Sequence, residues 1–200
     1  MNLASFILYC VIVRFTPGPT NIVILSMTNH AGVQGAWKYV LGASIAFGIL
    51  LAASAVMNAV LIRALPAVMP VLRIGGGVYI LYLAVRMLRT DKPEQMEGQK
   101  DLSAFLNGFL MQFVNPKVIL FTLTVIPSFV LPFYHTPFAL TVFVSGITMI
   151  GFLAFVTWML FGTVFRGFLQ KNQKIVNIIM AVFLGYSAIM VSGIFELSRG

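Results

Sequence analysis

Charge is scarce in this chain. Of 200 residues, thirteen are Lys or Arg and five are Asp or Glu, which makes 9% charged against 60% apolar. An ordinary soluble domain carries about 25% charged residues. A chain this poor in charge cannot cover its own surface in water, and it reads as an integral membrane protein. A soluble enzyme, a disordered tail and a small secreted scaffold are excluded. Cysteine is nearly absent. Cys10 alone rules out an intrachain disulfide and a cysteine-rich metal or electron-transfer centre. With His30 and His135 the only histidines, no metal site and no cofactor are expected. Acid is missing where chemistry would need it. Asp91, Glu94, Glu97 and Asp101 share one short stretch, and Glu196 lies at the far end. Hydrolysis or group transfer wants a Ser-His-Asp set, paired carboxylates or a bound metal, so an enzyme is not expected. The net charge of +8 is spread thinly. It forms no dense stripe with interleaved aromatics, and no nucleic-acid partner is expected.

What is there is a series of long apolar runs. A bilayer core of about 30 Å takes roughly 20 apolar residues as helix. Six runs qualify, at approximately 3–28, 37–62, 67–88, 103–132, 137–162 and 174–195, giving an all-α membrane fold of six transmembrane spans. The first is not read as a cleavable signal peptide: it lacks a basic leader, and Arg14 stands where a small residue is wanted. Two runs are interrupted, the first by Thr16-Pro17-Gly18-Pro19 and the fourth by Asn115-Pro116-Lys117. Proline lacks the N–H of the helical ladder and drives the residue before it out of the helix. Thirteen residues from Leu3 to Phe15 rise roughly 20 Å, and 102–114 gives the same depth. Broken backbone so far into a bilayer is tolerated only inside protein or along a watery cavity.

The two interruptions are related. At a shift of 99 residues, Leu3 falls on Leu102, Phe6 on Phe105 and Pro17 on Pro116. Near 103, Ala36 meets Ala139, Gly48 meets Gly151 and Arg63 meets Arg166; at 104, Tyr82 meets Tyr186. The order of these matches predicts two three-span repeats, 1–90 and 102–200, joined by a linker at 91–101. Three is odd, so the second copy enters from the opposite side. Inverted repeats with discontinuous helices in matching positions point to a secondary transporter with a midplane site. Eight cations (Lys38, Arg86, Arg89, Lys92, Lys100, Arg166, Lys171 and Lys174) fall in loops on one side, against Arg63, Arg73 and Arg199 on the other. The positive-inside rule makes the richer side cytoplasmic and puts both termini outside.

Arg14 and Lys117 remain at depth, without a carboxylate in any span to pair with. The half-helices after Pro17 and Pro116 offer free amides and positive dipole ends to an anion, beside Gly18, Thr20, Asn21 and Lys117. Carbonyls ahead of each break, with Gln112 and Asn115, would accept from a cation. Both features together suit a zwitterion such as an amino acid. The candidate substrate site is therefore Thr16, Pro17, Gly18, Pro19, Thr20 and Asn21 with Gln112, Asn115, Pro116 and Lys117. Elsewhere, Gly75-Gly76-Gly77, Gly42/Ala46 and Ser44/Gly48 are read as close helix packing, and Trp37 and Tyr134 as interfacial anchors.

These residues carry a resemblance. Phe15-Thr16-Pro17-Gly18-Pro19-Thr20-Asn21 resembles the first signature of the LysE/RhtB family of amino acid exporters. Gln112-Phe113-Val114-Asn115-Pro116-Lys117 resembles its second, and Leu72–Arg89 its third span. The short chain and Ser128-Phe129-Val130-Leu131-Pro132 are similar to the branch with cysteine and O-acetylserine exporters. The resemblance implies export of amino acids or close derivatives across a bacterial cytoplasmic (inner) membrane, driven by the proton gradient. The family often has Asn or Asp directly after Pro-Gly-Pro, where this chain has Thr20. That departure leaves Arg14 and Lys117 as the proton-coupling candidates. The expected partners are an amino acid and the lipid bilayer, with a homo-oligomer left open. Two alternatives stand beside this one: an exporter of another small cargo such as a metal ion, and a non-transporting membrane scaffold. Lack of intramembrane carboxylates and of a Cys/His cluster argues against a divalent cation.

Overall fold

A computed structural model describes residues 2–89 and 101–192, with the side chains of 58–73, 76, 86, 87, 89, 101, 102, 166 and 190–192 excepted. The expected linker thus lies outside the described residues apart from Asp101, as do Glu196 and the end of the sixth run. Every regular element among the described residues is helical: α1 Leu3–Phe15, α2 Pro19–Arg89, α3 Asp101–Val114, α4 Pro116–Val125, α5 Pro137–Val164, α6 Arg166–Lys171 and α7 Gln173–Ser192. Local chemistry starts them. The Asn2 side chain accepts from Ser5 N at the head of α1, and Thr136 caps α5 ahead of Pro137, both standard helix openings.

Pro19–Met57 and Pro137–Val164 are each long and apolar enough to cross a bilayer. Ser103–Val114 and Pro116–Val130, bent by 62°, make a third if the pair counts as one span. Leu3–Phe15 and Gln173–Ile189 are shorter apolar helices. The joints differ from those expected. Helical hydrogen bonding continues from 62 to 67, and the non-helical backbone falls instead at Gly32 and Met57. Arg63, Ala64 and Leu65 are strong helix formers, and the expected gap has no glycine to end the helix. At Gly32 the chain turns with φ 73° and ψ −173°, a region that is essentially glycine's alone. After α4, five residues, Ile126–Val130, form a π turn in which Leu131 N bonds Ile126 O. Pro127 cannot donate to the α ladder, and the register slips there.

The molecule is apolar outside, and its buried polar groups sit within an apolar core. On α1 the buried stripe is Phe6, Cys10 and Arg14, while Leu3, Ile7, Leu8 and Ile12 face outward. Ile49, Val142, Leu160, Ile179 and Val182 are exposed; Asn21, Ser54, Gln112, Asn115 and Thr122 are buried. That is the distribution a lipid solvent demands, and the chain is a membrane protein. α2 packs against α3, α4, α5 and α7. The α2–α3 contact depends on Gly42 and Gly108: a Cβ on Gly42 would stand 2.9 Å from the Phe105 carbonyl carbon, and one on Gly108 2.9 Å from that of Tyr39. Gly75, read above as a packing glycine, has nothing within 4 Å of an added Cβ, because this part of its helix faces outward. Trp37 packs edge-on against Phe152, and Tyr134 packs tilted against Phe143.

Candidate functional site

Three residues precede proline at the two interruptions: Thr16, Gly18 and Asn115. Proline's ring pushes its predecessor into extended backbone. Thr16 sits at φ −60°, ψ 137° and Asn115 at φ −87°, ψ 104°. α1 therefore stops at Phe15 and α3 at Val114. Pro19 and Pro116 open α2 and α4, at positions where a missing N–H leaves no gap in the ladder.

The carbonyls stranded at the first interruption are taken up by side chains. Asn21 Nδ2 donates to the carbonyls of Arg14 (3.3 Å) and Thr16 (3.0 Å). Trp158 Nε1, from α5, donates to that of Phe15 at 3.2 Å. Lys117 Nζ crosses from α4 to the carbonyls of Thr16 at 2.7 Å and Pro17 at 3.4 Å. The Thr20 hydroxyl accepts from Asn115 Nδ2 at 2.9 Å and from Gln112 Nε2 at 3.2 Å. Two segments some hundred positions apart in sequence thus close on one another through direct hydrogen bonds. The amides expected to be free at the start of α4 are not. Lys117 N donates to Asn115 Oδ1, while Val118 N and Ile119 N both donate to Asn115 O. Pro116 has no N–H, so that helix end is saturated by its own cap.

Arg14, Gly18, Thr20, Asn21, Asn115 and Lys117 line one cavity with Val118 and Phe155. Gln112 stands behind Thr20; Thr16 and Pro17 contribute carbonyls, and Pro19 and Pro116 the helix starts. The cavity measures about 10 Å³, roughly the space of one water, against about 300–1,000 Å³ for small-molecule pockets. The described conformation is closed around this site. Gly18 is part of the closure, since a Cβ there would lie 3.1 Å from Lys117 Cδ. Among the described residues, no three of His, Cys, Asp and Glu come together as metal ligands.

Arg14 is 4% exposed. Its Cζ lies 4.0 Å from the centroid of the Phe47 ring, 4.9 Å from Phe155 and 5.9 Å from Phe121, within cation–π range. Its Nε and Nη2 have no hydrogen-bond partner. Phe47, Phe121, Phe155 and Trp158 were not singled out by sequence. One signal pointed their way: Gly151, bare in the middle of an apolar span. A Cβ there would come 2.5 Å from the Phe47 ring and 3.4 Å from Arg14 Nε.

The LysE type translocator family matches residues 11–192, which include both interruptions. The cysteine/O-acetylserine efflux proteins of Escherichia coli strain K12 and of Shigella flexneri are each 32% identical over 190 residues, covering 94% of this chain and 96% of the relative. No solved structure matches. A match that runs from within α1 to the end of α7, with relatives of the same length, settles the lineage: this chain belongs to the LysE type translocator family.

Proposed function

We propose that this chain is a secondary transporter that exports amino acids or close derivatives from the cytoplasm across the bacterial inner membrane. It has six spans in two inverted three-span repeats, 1–90 and 102–200, joined at the cytoplasmic face by 91–101. Spans one and four are the ones interrupted by proline, and both termini face outward. Its substrate site comprises Thr16–Asn21 with Gln112, Asn115, Pro116 and Lys117, and transport draws on the proton gradient. The observation that carries this reading is the meeting of the two interrupted segments at Thr20, which accepts from both Gln112 and Asn115. Backbone freed from helix beside a shared polar cavity is the arrangement in which alternating access surrounds a fixed site. Relatives named for cysteine and O-acetylserine efflux supply the cargo class. A small zwitterion has the carboxylate and ammonium that this site's cations and carbonyls would meet.

The test is efflux from loaded cells. Cells expressing the chain should release O-acetylserine or cysteine faster than cells carrying the Asn115→Ala variant at equal membrane abundance. Release of no amino acid above the empty-vector rate, with good expression, would refute the proposal. For topology, a reporter active only in the cytoplasm and fused after Gly200 should stay dark.

A further inference from the structure

The two cations in this cavity are not equivalent. Lys117 Nζ is engaged by the Thr16 and Pro17 carbonyls. Arg14 is nine-tenths buried and more, yet Nε and Nη2 are unpaired. Both line the same cavity. Among the described residues, none that lines it is acidic. Of the two helix starts that would draw an anion, that of α4 is saturated by Asn115. Of the two cations, the one with donors left over for a carboxylate is Arg14. Its guanidinium lies against the Phe47 and Phe155 faces, in surroundings where an unpaired cation is costly. The acceptors are just as telling. Backbone carbonyls at a helix break are what an α-ammonium would seek, and here an ammonium already occupies them. It belongs to the protein, carried on the Lys117 stem.

The geometry points to a division of labour: Arg14 is the anchor for the substrate carboxylate, and Lys117 is a tethered plug that occupies the α-ammonium subsite formed by the Thr16 and Pro17 carbonyls. A zwitterion entering the site pairs its carboxylate with the guanidinium and displaces the Lys117 ammonium with its own. In the conformation described the plug is in place, and the Lys117 ammonium must leave these two carbonyls for a zwitterion's ammonium to take them. This assignment rests on the amino-acid exporter reading above.

Binding to the purified full-length chain separates the roles. The probes are O-acetyl-L-serine and 3-acetoxypropanoate, the same molecule without its ammonium. Arg14→Gln should weaken both by about 30-fold or more, the loss expected for truncating one partner of a buried charge pair. Arg14→Lys should recover part of it. Lys117→Met should tighten O-acetyl-L-serine by about tenfold if the plug holds the subsite nine-tenths of the time. It should leave 3-acetoxypropanoate nearly unchanged, because that probe does not contend for the carbonyls. Loss of O-acetyl-L-serine binding in Lys117→Met would overturn the assignment by making the lysine the anchor. Undiminished binding in Arg14→Gln would overturn it equally while leaving the exporter reading intact. A wild-type chain that binds no amino acid or derivative would bring down the exporter reading first, and this assignment with it. If Arg14→Gln does not fold, the Arg14→Lys and Lys117→Met arms decide.

Discussion

Gly108→Ala is the sharpest single test of how the site is held. A Cβ at Gly108 would lie 2.9 Å from the Tyr39 carbonyl carbon and 3.0 Å from its Cα. Those are backbone atoms, and no side chain can rotate away. Carbon atoms rest at about 3.5–4.0 Å, so α2 and α3 must part by roughly 0.6 Å or more. Overpacking of this kind costs about 1–3 kcal/mol, and a rigid backbone neighbour puts it at the upper end. For a chain of this size, about 3 kcal/mol corresponds to a melting point lower by roughly 6–12 °C. The damage also reaches the site. Gln112 is one turn on from Gly108, donates to its carbonyl, and reaches Thr20 at 3.2 Å. Adding about 0.6 Å takes that contact past hydrogen-bonding range, so efflux should fall together with stability. The control is Gly75→Ala, where nothing lies within 4 Å and alanine favours helix by about 1 kcal/mol; its melting point should hold or rise. The assay is thermal melting of purified protein beside efflux from loaded cells. If Gly108→Ala melts with the wild type, or Gly75→Ala falls as far, the close approach is not what joins these helices.

Thr20→Val keeps the shape but removes the acceptor shared by Gln112 and Asn115. It should cost about 1–3 kcal/mol through a buried amide left unmet and depress efflux, with Thr20→Ser keeping most of both. Gly32→Ala forces a side chain into φ 73°, ψ −173°; thermal melting should report a loss of about 1–3 kcal/mol.

Sequence reasoning saw the interruptions because proline acts locally. Thr16 and Asn115 are extended for a reason confined to the next residue, and no packing information is needed to know it. The bilayer setting was legible for a similar reason: eighteen charges among 200 residues cannot cover a soluble surface. The joints between runs were not legible. Arg63–Pro66 looked like a loop because it holds a cation and a proline, yet the helical ladder runs through it. Gly32, the residue that turns the chain, stands among polar and small neighbours that give it no prominence. Whether a glycine turns a chain, packs a helix or faces lipid depends on what lies opposite. The sequence cannot say why Gly108 abuts a backbone carbonyl while Gly75 abuts nothing.

The same limit governs the site. Counting charge at depth picks out Arg14 and Lys117 and treats them alike, since each is a cation without an acid in reach. Only the arrangement of acceptors tells them apart. Lys117, on the flexible stem that suits a movable point charge, spans from α4 to carbonyls that Pro17 and Pro19 free from the ladder. Arg14, on the buried stripe of α1, is held by ring faces that offer attraction but no acceptor. A fork of N–H groups in that position matches a planar carboxylate, and a lysine there would not. The expected anion subsite at the start of α4 fails for an equally local cause: Asn115, extended because proline follows it, turns its own carbonyl and side chain onto the amides that an anion would use. One proline thus both breaks the helix and closes off the helix end. In the assignment proposed above, the charge that a substrate carboxylate would meet comes instead from Arg14, in the other half of the chain.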